Sequence, residues 1–382
     1  MEIFTLNFPA KAALPTKTIT GVVGSGDMEV LYFPENSGNL AVSIETSVDG
    51  LQKVWTNVFA RLSEQRELPA GKLVIHDFGA TPGVIKLRVE QCFYNAAEQT
   101  KTAETIDEQQ SFIELNARSR AKALLDQGSY RELLDPYDNV TSQWLEKQNI
   151  VISADDGMVI AKGTIQGKNV VIAAVEGVFQ GGSMGEVSGA KMAAALELAA
   201  EDNRNGKPTS VVLLLETGGV RLQEANLGLA AIADIHAAIV DMKRYAPVIG
   251  ITTGTVGCFG GMSIAAALCT SLIVTKEARL GLNGPQVIEQ EAGIEEYDSR
   301  NRPFIWSFTG GEARYRNGLV DALVDDSIQQ VRDALTKQLN SGHNDSARLQ
   351  QIDYYLNKLN AVDTTKQITP EGVTAVFGLE DR

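Results

Sequence analysis

Three times between residues 178 and 270 a short apolar run breaks into a glycine-rich turn and then into a stretch of small residues: "FQGGSMGEVSGAKMAAALELA", "LLLETGGVRLQEA" and "TGTVGCFGGMSIAAAL". Strands such as "SVVLLLE" and "PVIGITT" have no polar face, so both of their faces must be covered, and the long alanine-rich segments between them are the covers. This predicts a layered α/β core. Where a glycine pair opens a helix, its N–H groups have no partner in the helix and point outward with the positive end of the helix dipole behind them. Two such turns facing each other make an oxyanion hole. The plainer alternative is that the glycines only permit close packing of strand on helix. Neither G-x-G-x-x-G nor G-x-x-x-x-G-K-[ST] occurs in these turns, so a phosphate loop is not expected.

The first hundred residues read differently. In "GNLAVSIETSV", Leu40, Val42, Ile44, Thr46 and Val48 alternate with smaller or polar residues, the period of a half-buried strand. In "DGLQKVWTNVFARLSEQ" the period becomes helical: Leu51, Val54, Trp55, Val58, Phe59 and Leu62 share one face, with Asp49 as the expected N-cap and Gln52 three residues on. "KLVIHDF" reads as another strand, and Thr81-Pro82 opens a helix to about Ala97. Residues 1–98 are therefore expected to form a small α+β domain. "EQTKTAETIDEQQ" offers only alanine and one isoleucine for burial, so 99–110 is expected to be a linker. A second domain over 111–340 then begins, with "MVIAKGTIQGKNVVIAAVEGVF" as a β-meander. A helical extension over 341–382 includes "ARLQQIDYYLNKLN", which puts Leu349, Ile352, Leu356 and Leu359 on one side. Two domains also suit a length of 382 residues.

No segment approaches the apolar run needed to cross a bilayer, and "MEIFTLNFPAKAALP" lacks a charged region followed by a long apolar one, so the expected location is the cytoplasm. A net charge of −14 argues against nucleic acid or an acidic membrane surface as a partner. Cys92, Cys258 and Cys269 have neither metal-ligand nor disulfide spacing; they are expected to be small core residues, and no metal is expected.

One hydroxyl stands out. In "TITGVVGSGDMEVLYF" Ser25 lies between two glycines in a turn joining two β-rich runs. Read alone it is a hairpin tip, with Gly24 and Gly26 supplying φ > 0 and Asp27 an ordinary turn residue.

The motifs "FQGGSMGEVSGAKM", "ETGGVRLQEA" and "GLNGPQVIEQ", within residues 178–293, resemble the β-subunit half of the acyl-CoA carboxyltransferases, a branch of the crotonase superfamily with its ββα superhelix. The four-cysteine zinc ribbon of the acetyl-CoA carboxylase member is missing. Residues 1–98, with "VGSGDMEVL", "VFARL" and "IHDFGATPGV", resemble the acyl carrier (δ) subunit of malonate decarboxylase. The combination resembles a fusion of that carrier to the malonate decarboxylase β-subunit.

The resemblance implies that Ser25 bears a phosphodiester-linked prosthetic group of the 2′-(5″-phosphoribosyl)-3′-dephospho-CoA type, with a glycine on each side leaving the hydroxyl open to the transferase that installs it. It implies decarboxylation of a malonyl thioester on that arm to an acetyl thioester. A free carboxylate is a poor place to put the electron pair that CO₂ leaves behind, whereas a thioester carbonyl accepts it as an enolate oxygen. The resemblance places the acyl-thioester hole at Gly218 and Gly219, with Gly260 and Gly261 as the second wall; Arg221, Glu224, Gly181 and Gly182 are candidate contacts to the arm. The leaving carboxylate is expected to be held without strong ion pairing, since a salt bridge would stabilise the ground state and vanish in CO₂. Implied partners are a γ-subunit, the α-subunit acyl carrier transferase and a prosthetic-group transferase, in a hetero-oligomer. Two alternatives are a carboxyltransferase of a biotin-dependent malonate system, with biotin on another chain, and a non-catalytic scaffold that docks the carrier.

Other residues favour structural roles. His236, among the core-like neighbours of "AAIADIHAAIVDM", and His76 in "VIHDFG" read as structural histidines, and His343 as part of a polar loop. Lys191-Met192 has the dipeptide of a biotin site but lies in a helix of alanines rather than a hairpin tip. Arg221 and Glu224 are explained almost as well by a solvated helix face.

Overall fold

The computed structural model describes residues 1–98, 110–341 and 351–378. These residues fall into two compact units, one of 1–98, 134–157 and 178–180, the other of 110–133, 158–177, 181–341 and 351–378. The expected linker, His343 and Leu349 lie outside the described residues, except for Gln110 at the linker's end.

In the first unit, strands β1 (Glu2–Pro9), β2 (Thr18–Thr20), β3 (Met28–Pro34), β4 (Asn39–Thr46) and β5 (Gly71–Asp77) form one sheet in the order β1-β4-β5-β3-β2. Only β4 and β5 pair in parallel, joined through helix α1 (Gln52–Gln65). The alternation read in β4 is realised: Leu40, Val42, Ile44 and Thr46 are buried. Helix α1 buries Trp55, Phe59 and Leu62 on one stripe, but Asp49 does not cap it. A left-handed turn at Gly50 (φ +80°) separates Asp49 from the helix, which starts after Leu51 with no side-chain cap, and Asp49 pairs instead with the Met1 amino group at 3.1 Å. Helix α2 (Pro82–Ala97) begins as expected, with the Thr81 side chain accepting the Val84 N–H.

This unit also contains a buried polar knot. His76 Nδ1 lies 2.7 Å from Glu29 Oε2, and the Glu29 carboxylate also accepts the Ser153 hydroxyl at 3.2 Å and the Ala154 N–H at 3.0 Å. Burial alone would lower the His76 pKa; the hydrogen bond and charge of Glu29, then Glu45 and Asp155, outweigh it and the net direction is up.

The second unit is built on a seven-stranded sheet in the order β12-β11-β10-β9-β8-β7-β6. Strands β6 (Arg131–Leu133), β7 (Met158–Ile165) and β8 (Lys168–Val175) are antiparallel; the stretch expected as a meander supplies β7 and β8, and β6 comes from earlier in the chain. Strands β9 (Thr209–Leu214), β10 (Val248–Thr252), β11 (Ser271–Thr275) and β12 (Ala322–Val324) continue in parallel from β8. Both faces are covered. On one, Met192, Leu196, Ile235 and Met262 of helices α5 (Glu186–Arg204), α6 (Asn226–Met242) and α7 (Gly261–Leu268) pack over Val211, Leu213 and Val274. On the other, Ala121 and Leu124 of helix α3 (Ala117–Leu124) and Val331 and Leu335 of helix α11 (Ile328–Asn340) cover Val212, Leu214 and Ile273. The three cysteines are buried and form no disulfide, and no helix among the described residues is long and apolar enough to cross a membrane.

The histidine knot makes the first unit pH-sensitive. Because folded His76 holds its proton more tightly than an unfolded histidine, the pair's stabilisation is complete below the ordinary value of 6.5 and is lost as pH rises through the elevated folded value. Glu29→Ala, which strands a buried partner, is expected to cost about 3–5 kcal/mol at pH 6 and clearly less at pH 9 in denaturant titrations. An equal loss at both values would place the stabilisation elsewhere.

Candidate active site

The strands β8, β9 and β10 run parallel, so their carboxyl ends lie at one edge of the sheet, where α/β folds place their ligands. The glycine turns gather there. Beyond β9, Thr217 donates its N–H to the Gly257 carbonyl at 2.7 Å and accepts the Phe259 N–H on its own carbonyl at 3.0 Å. The turn leading to α5 joins them: Gly218 N–H donates to Gly181 O at 3.0 Å, and Met184 N–H to Gly219 O at 2.7 Å. Three segments far apart in sequence thus form one continuous backbone surface.

Glycine is obligatory in that surface for steric reasons. Gly219 has φ +107°, and a Cβ on it would lie 3.2 Å from Phe259 O and 3.4 Å from Gly260 Cα. Gly182 has φ +65°, and a Cβ there would lie 1.9 Å from Glu216 O.

The hydrogen bonding differs from the expectation that Gly218, Gly219 and Gly260 offer open amides. Gly218 N–H is taken by Gly181 O, Gly219 N–H by Thr217 Oγ1 at 3.1 Å, and Gly260 N–H by Leu282 O at 2.7 Å. The Gly218 and Gly260 amides tie separate segments to one another, and the Gly219 amide closes its own turn. Gly261 differs: it is the first residue of α7, and its N–H, like that of Met262, has no partner among the described residues. His236 Nε2 lies 2.8 Å from the Gly261 carbonyl and so steadies this helix opening.

Arg221 and Glu224 are not a solvated face. Their side chains are 1% and 0% exposed, and Arg221 Nη1 meets Glu224 Oε1 at 2.9 Å. Arg221 Nη2 also donates to Ser183 O at 3.1 Å, and Glu224 Oε2 accepts the Glu186 N–H at 2.5 Å. The pair clamps the first turn, and the start of α5, onto the second. A helical wheel could not reveal this, because Leu222–Glu224 is a 3₁₀ turn folded inward ahead of α6.

Glu216 was not singled out in the sequence, although a carboxylate directly after "LLL" is an anomaly that could have marked it. It is 3% exposed, and its carboxylate accepts the N–H of Thr253 at 3.0 Å and that of Gly254. Burial pushes its pKa up, against the charge of Arg120, whose Nη1 is 3.9 Å away, and the bonds from backbone N–H groups.

In the other unit Ser25 is exposed at its turn, and its hydroxyl has no hydrogen-bond partner among the described residues. Only Gly26 (φ +78°) is left-handed; Gly24 is required for space, since a Cβ there would sit 2.2 Å from Val178 Cγ1. Asp27 anchors the turn through an ion pair with Arg88 of α2, Nη2 to Oδ2 2.6 Å. A free hydroxyl on a pinned tip, with nothing within 4 Å of a Cβ built on Gly26, fits an attached group.

Residues 16–96 match the family model for the malonate decarboxylase delta subunit, and residues 113–370 match that for the carboxyl transferase domain. The chain belongs to the carboxyl transferase family and carries a malonate decarboxylase acyl carrier. The transferase part is 41% identical over 239 residues, 60% of this chain and 75% of the relative, to the malonyl-S-ACP:biotin-protein carboxyltransferase of Malonomonas rubra. The carrier is 57% identical over 97 residues, 25% of this chain and 98% of the relative, to the malonate decarboxylase acyl carrier protein of Klebsiella pneumoniae. Among solved structures, a Pseudomonas malonate decarboxylase hetero-tetramer in complex with malonate matches with TM-score 0.69 and 62% identity, covering 70% of this chain and 97% of that one. A transcarboxylase 12S structure with methylmalonyl-coenzyme A and methylmalonic acid bound matches with TM-score 0.53 and 26% identity, over 68% of this chain and 47% of that one. The crotonase-like architecture that the resemblance implied is therefore that of this transferase domain, and the carrier family implies a prosthetic group on a serine.

The clamp in the transferase domain is open to test. Glu224→Ala leaves Arg221 charged and buried without its carboxylate and is expected to cost about 3–5 kcal/mol of stability. A loss below 1 kcal/mol in chemical denaturation would mean that the clamp carries little of the site's rigidity.

Proposed function

We propose that this carrier–transferase fusion is the decarboxylating component of a malonate decarboxylase: malonyl held as a thioester on the Ser25 arm loses CO₂ and leaves an acetyl thioester. The arm, of the phosphoribosyl-dephospho-CoA type, supplies the thiol. The protein's own residues do the rest. The observation that carries the reading is the opening of α7, where the Gly261 and Met262 N–H groups have no partner among the described residues and lie at the positive end of a helix. Donors fixed in this way favour charge that develops on the thioester carbonyl oxygen as the C–C bond breaks, because they need no reorganisation during the step. Gly218, Gly219 and Gly260 act one layer back, holding the surface that aims those donors. Gly181 and Gly182 bring the first turn against it, and Arg221 and Glu224 lock that turn rather than touch the arm.

The similarity to the Malonomonas enzyme supports a second reading, transfer of the carboxyl group to a biotin protein on another chain. The matched hetero-tetramer and an MdcD–MdcE hetero-dimer support assembly into a hetero-oligomer. We assign the partners as a γ-subunit, the α-subunit transferase and the enzyme that loads Ser25, all cytoplasmic.

Gly219→Val drives a branched side chain into Phe259 O and Gly260 Cα. In the assembled, malonyl-loaded complex with avidin present, it is expected to lower CO₂ release about a hundredfold or more, the scale for losing an oxyanion donor. Ser25→Ala should abolish both the added mass and turnover. A folded, loaded Gly219→Val variant releasing CO₂ at the parent rate would remove these turns from the mechanism, and parent activity blocked by avidin would favour the biotin reading.

A further inference from the structure

Beside the turn that carries Phe259 and Gly260 lies a cavity of about 470 Å³, lined by Thr255, Arg279, Ser299, Arg302, Pro303 and Trp306 among others. Its size is that of a small-molecule site. Two of its walls are arginines. Arg279 is fixed in place: Nε donates to Thr255 O at 2.9 Å, and the guanidinium lies 5.4 Å from the ring centre of Phe259 and 4.8 Å from that of Trp306. Arg302 opens helix α9 (Arg302–Thr309).

Both cations line the cavity, and among the described residues no carboxylate pairs with either. Arg279 donates only to the Thr255 and Val256 carbonyls, and the Arg302 side chain has no partner among the described residues. Burial, and then the charge of Arg302, depress the Arg279 pKa; Tyr297 and the buried Glu216 oppose this without pairing with it. Two carboxylates of the adjoining segment are committed elsewhere, Asp298 to Arg300 at 3.0 Å and Glu289 to the Ser299 N–H at 2.7 Å. Like charges side by side, one half-buried and one exposed at the rim of the cavity, repel each other unless an anion joins them. In a chain of net charge −14 this is a local exception.

We propose that Arg279 and Arg302 form a subsite for a phosphate ester of the acyl-bearing arm, next to the glycine turns. Two guanidinium forks suit an oxyanion with several acceptor oxygens and more than one charge. The carboxylate that departs as CO₂ is the wrong occupant, because arginine pairing would stabilise it before reaction and lose that contact in the transition state. The inference rests on the reading that an acyl thioester docks at these turns, but its test measures binding rather than turnover and so stands or falls separately.

The test titrates the full chain carrying Ser25→Ala with 4′-phosphopantetheine and with pantetheine by calorimetry. The phosphate is expected to strengthen binding at least about tenfold, as for a charge-assisted contact, and Arg302→Gln or Arg279→Gln to remove that advantage. Arg302 is exposed, so its variant is not expected to disturb folding; Arg279→Lys, which retains the charge but not the fork, should fall between parent and Arg279→Gln. Inorganic phosphate should compete in the parent and not in the variants. In Ser25-loaded protein, exclusion of phosphopantetheine would identify the chain's own arm as the occupant, and undiminished binding a free phosphate ester. Equal affinity for the two pantetheines, or phosphate-dependent binding that survives loss of both arginines, would overturn the subsite. So would variants that leave binding intact and instead lose a partner subunit.

Discussion

The closest structural constraint in the transferase domain is the backbone contact between the turns after β9 and β10. Thr217 makes two hydrogen bonds across it, to Gly257 O and from Phe259 N–H, and Gly219, at φ +107°, then lies so close to Gly260 that a β-carbon would crowd Phe259 O at 3.2 Å. Everything at the candidate site follows from this contact. It sets where α7 begins, and so where its unpaired N–H groups point. It leaves Gly182 facing Glu216 O, which brings in the turn before α5. Backbone contacts at this distance are rigid because neither side has a rotamer to change, the property an oxyanion site requires.

Buried charge secures the arrangement at two points. Glu216 reaches from one turn to the N–H groups of Thr253 and Gly254 on the next, and the Arg221–Glu224 pair ties the first turn to the second. Burying ions costs desolvation energy, and apolar residues of like volume are often as stable. What charge adds here is direction: a carboxylate that accepts backbone N–H groups holds a loop in one register. The carrier unit solves the opposite problem. Its working hydroxyl must stay free, so the Asp27–Arg88 pair grips the base of the turn and leaves Ser25 at the tip.

Local periodicity was readable from the sequence, and tertiary closure was not. The alternation of Leu40, Val42 and Ile44, the stripe of Trp55, Phe59 and Leu62, and the Thr81-Pro82 helix start each depend on neighbours within a few residues, and all are present. The Asp49 cap failed because the pattern does not report the left-handed turn at Gly50. Arg221 and Glu224 looked like surface because their helical spacing says nothing about an inward 3₁₀ turn. That the glycine turns meet could be guessed from their repetition. Which of their N–H groups remain open could not, since Gly181 O and Leu282 O come from two other places in the chain and Thr217 Oγ1 turns back onto its own loop.

The most direct test of the account is a crystal structure of the assembled complex loaded with a malonyl thioester analogue that cannot lose CO₂. The thioester carbonyl oxygen is expected about 2.7–3.1 Å from the Gly261 nitrogen, the range for an oxyanion donor. An oxygen bound away from the α7 opening, with the Gly261 amide facing only solvent, would contradict it.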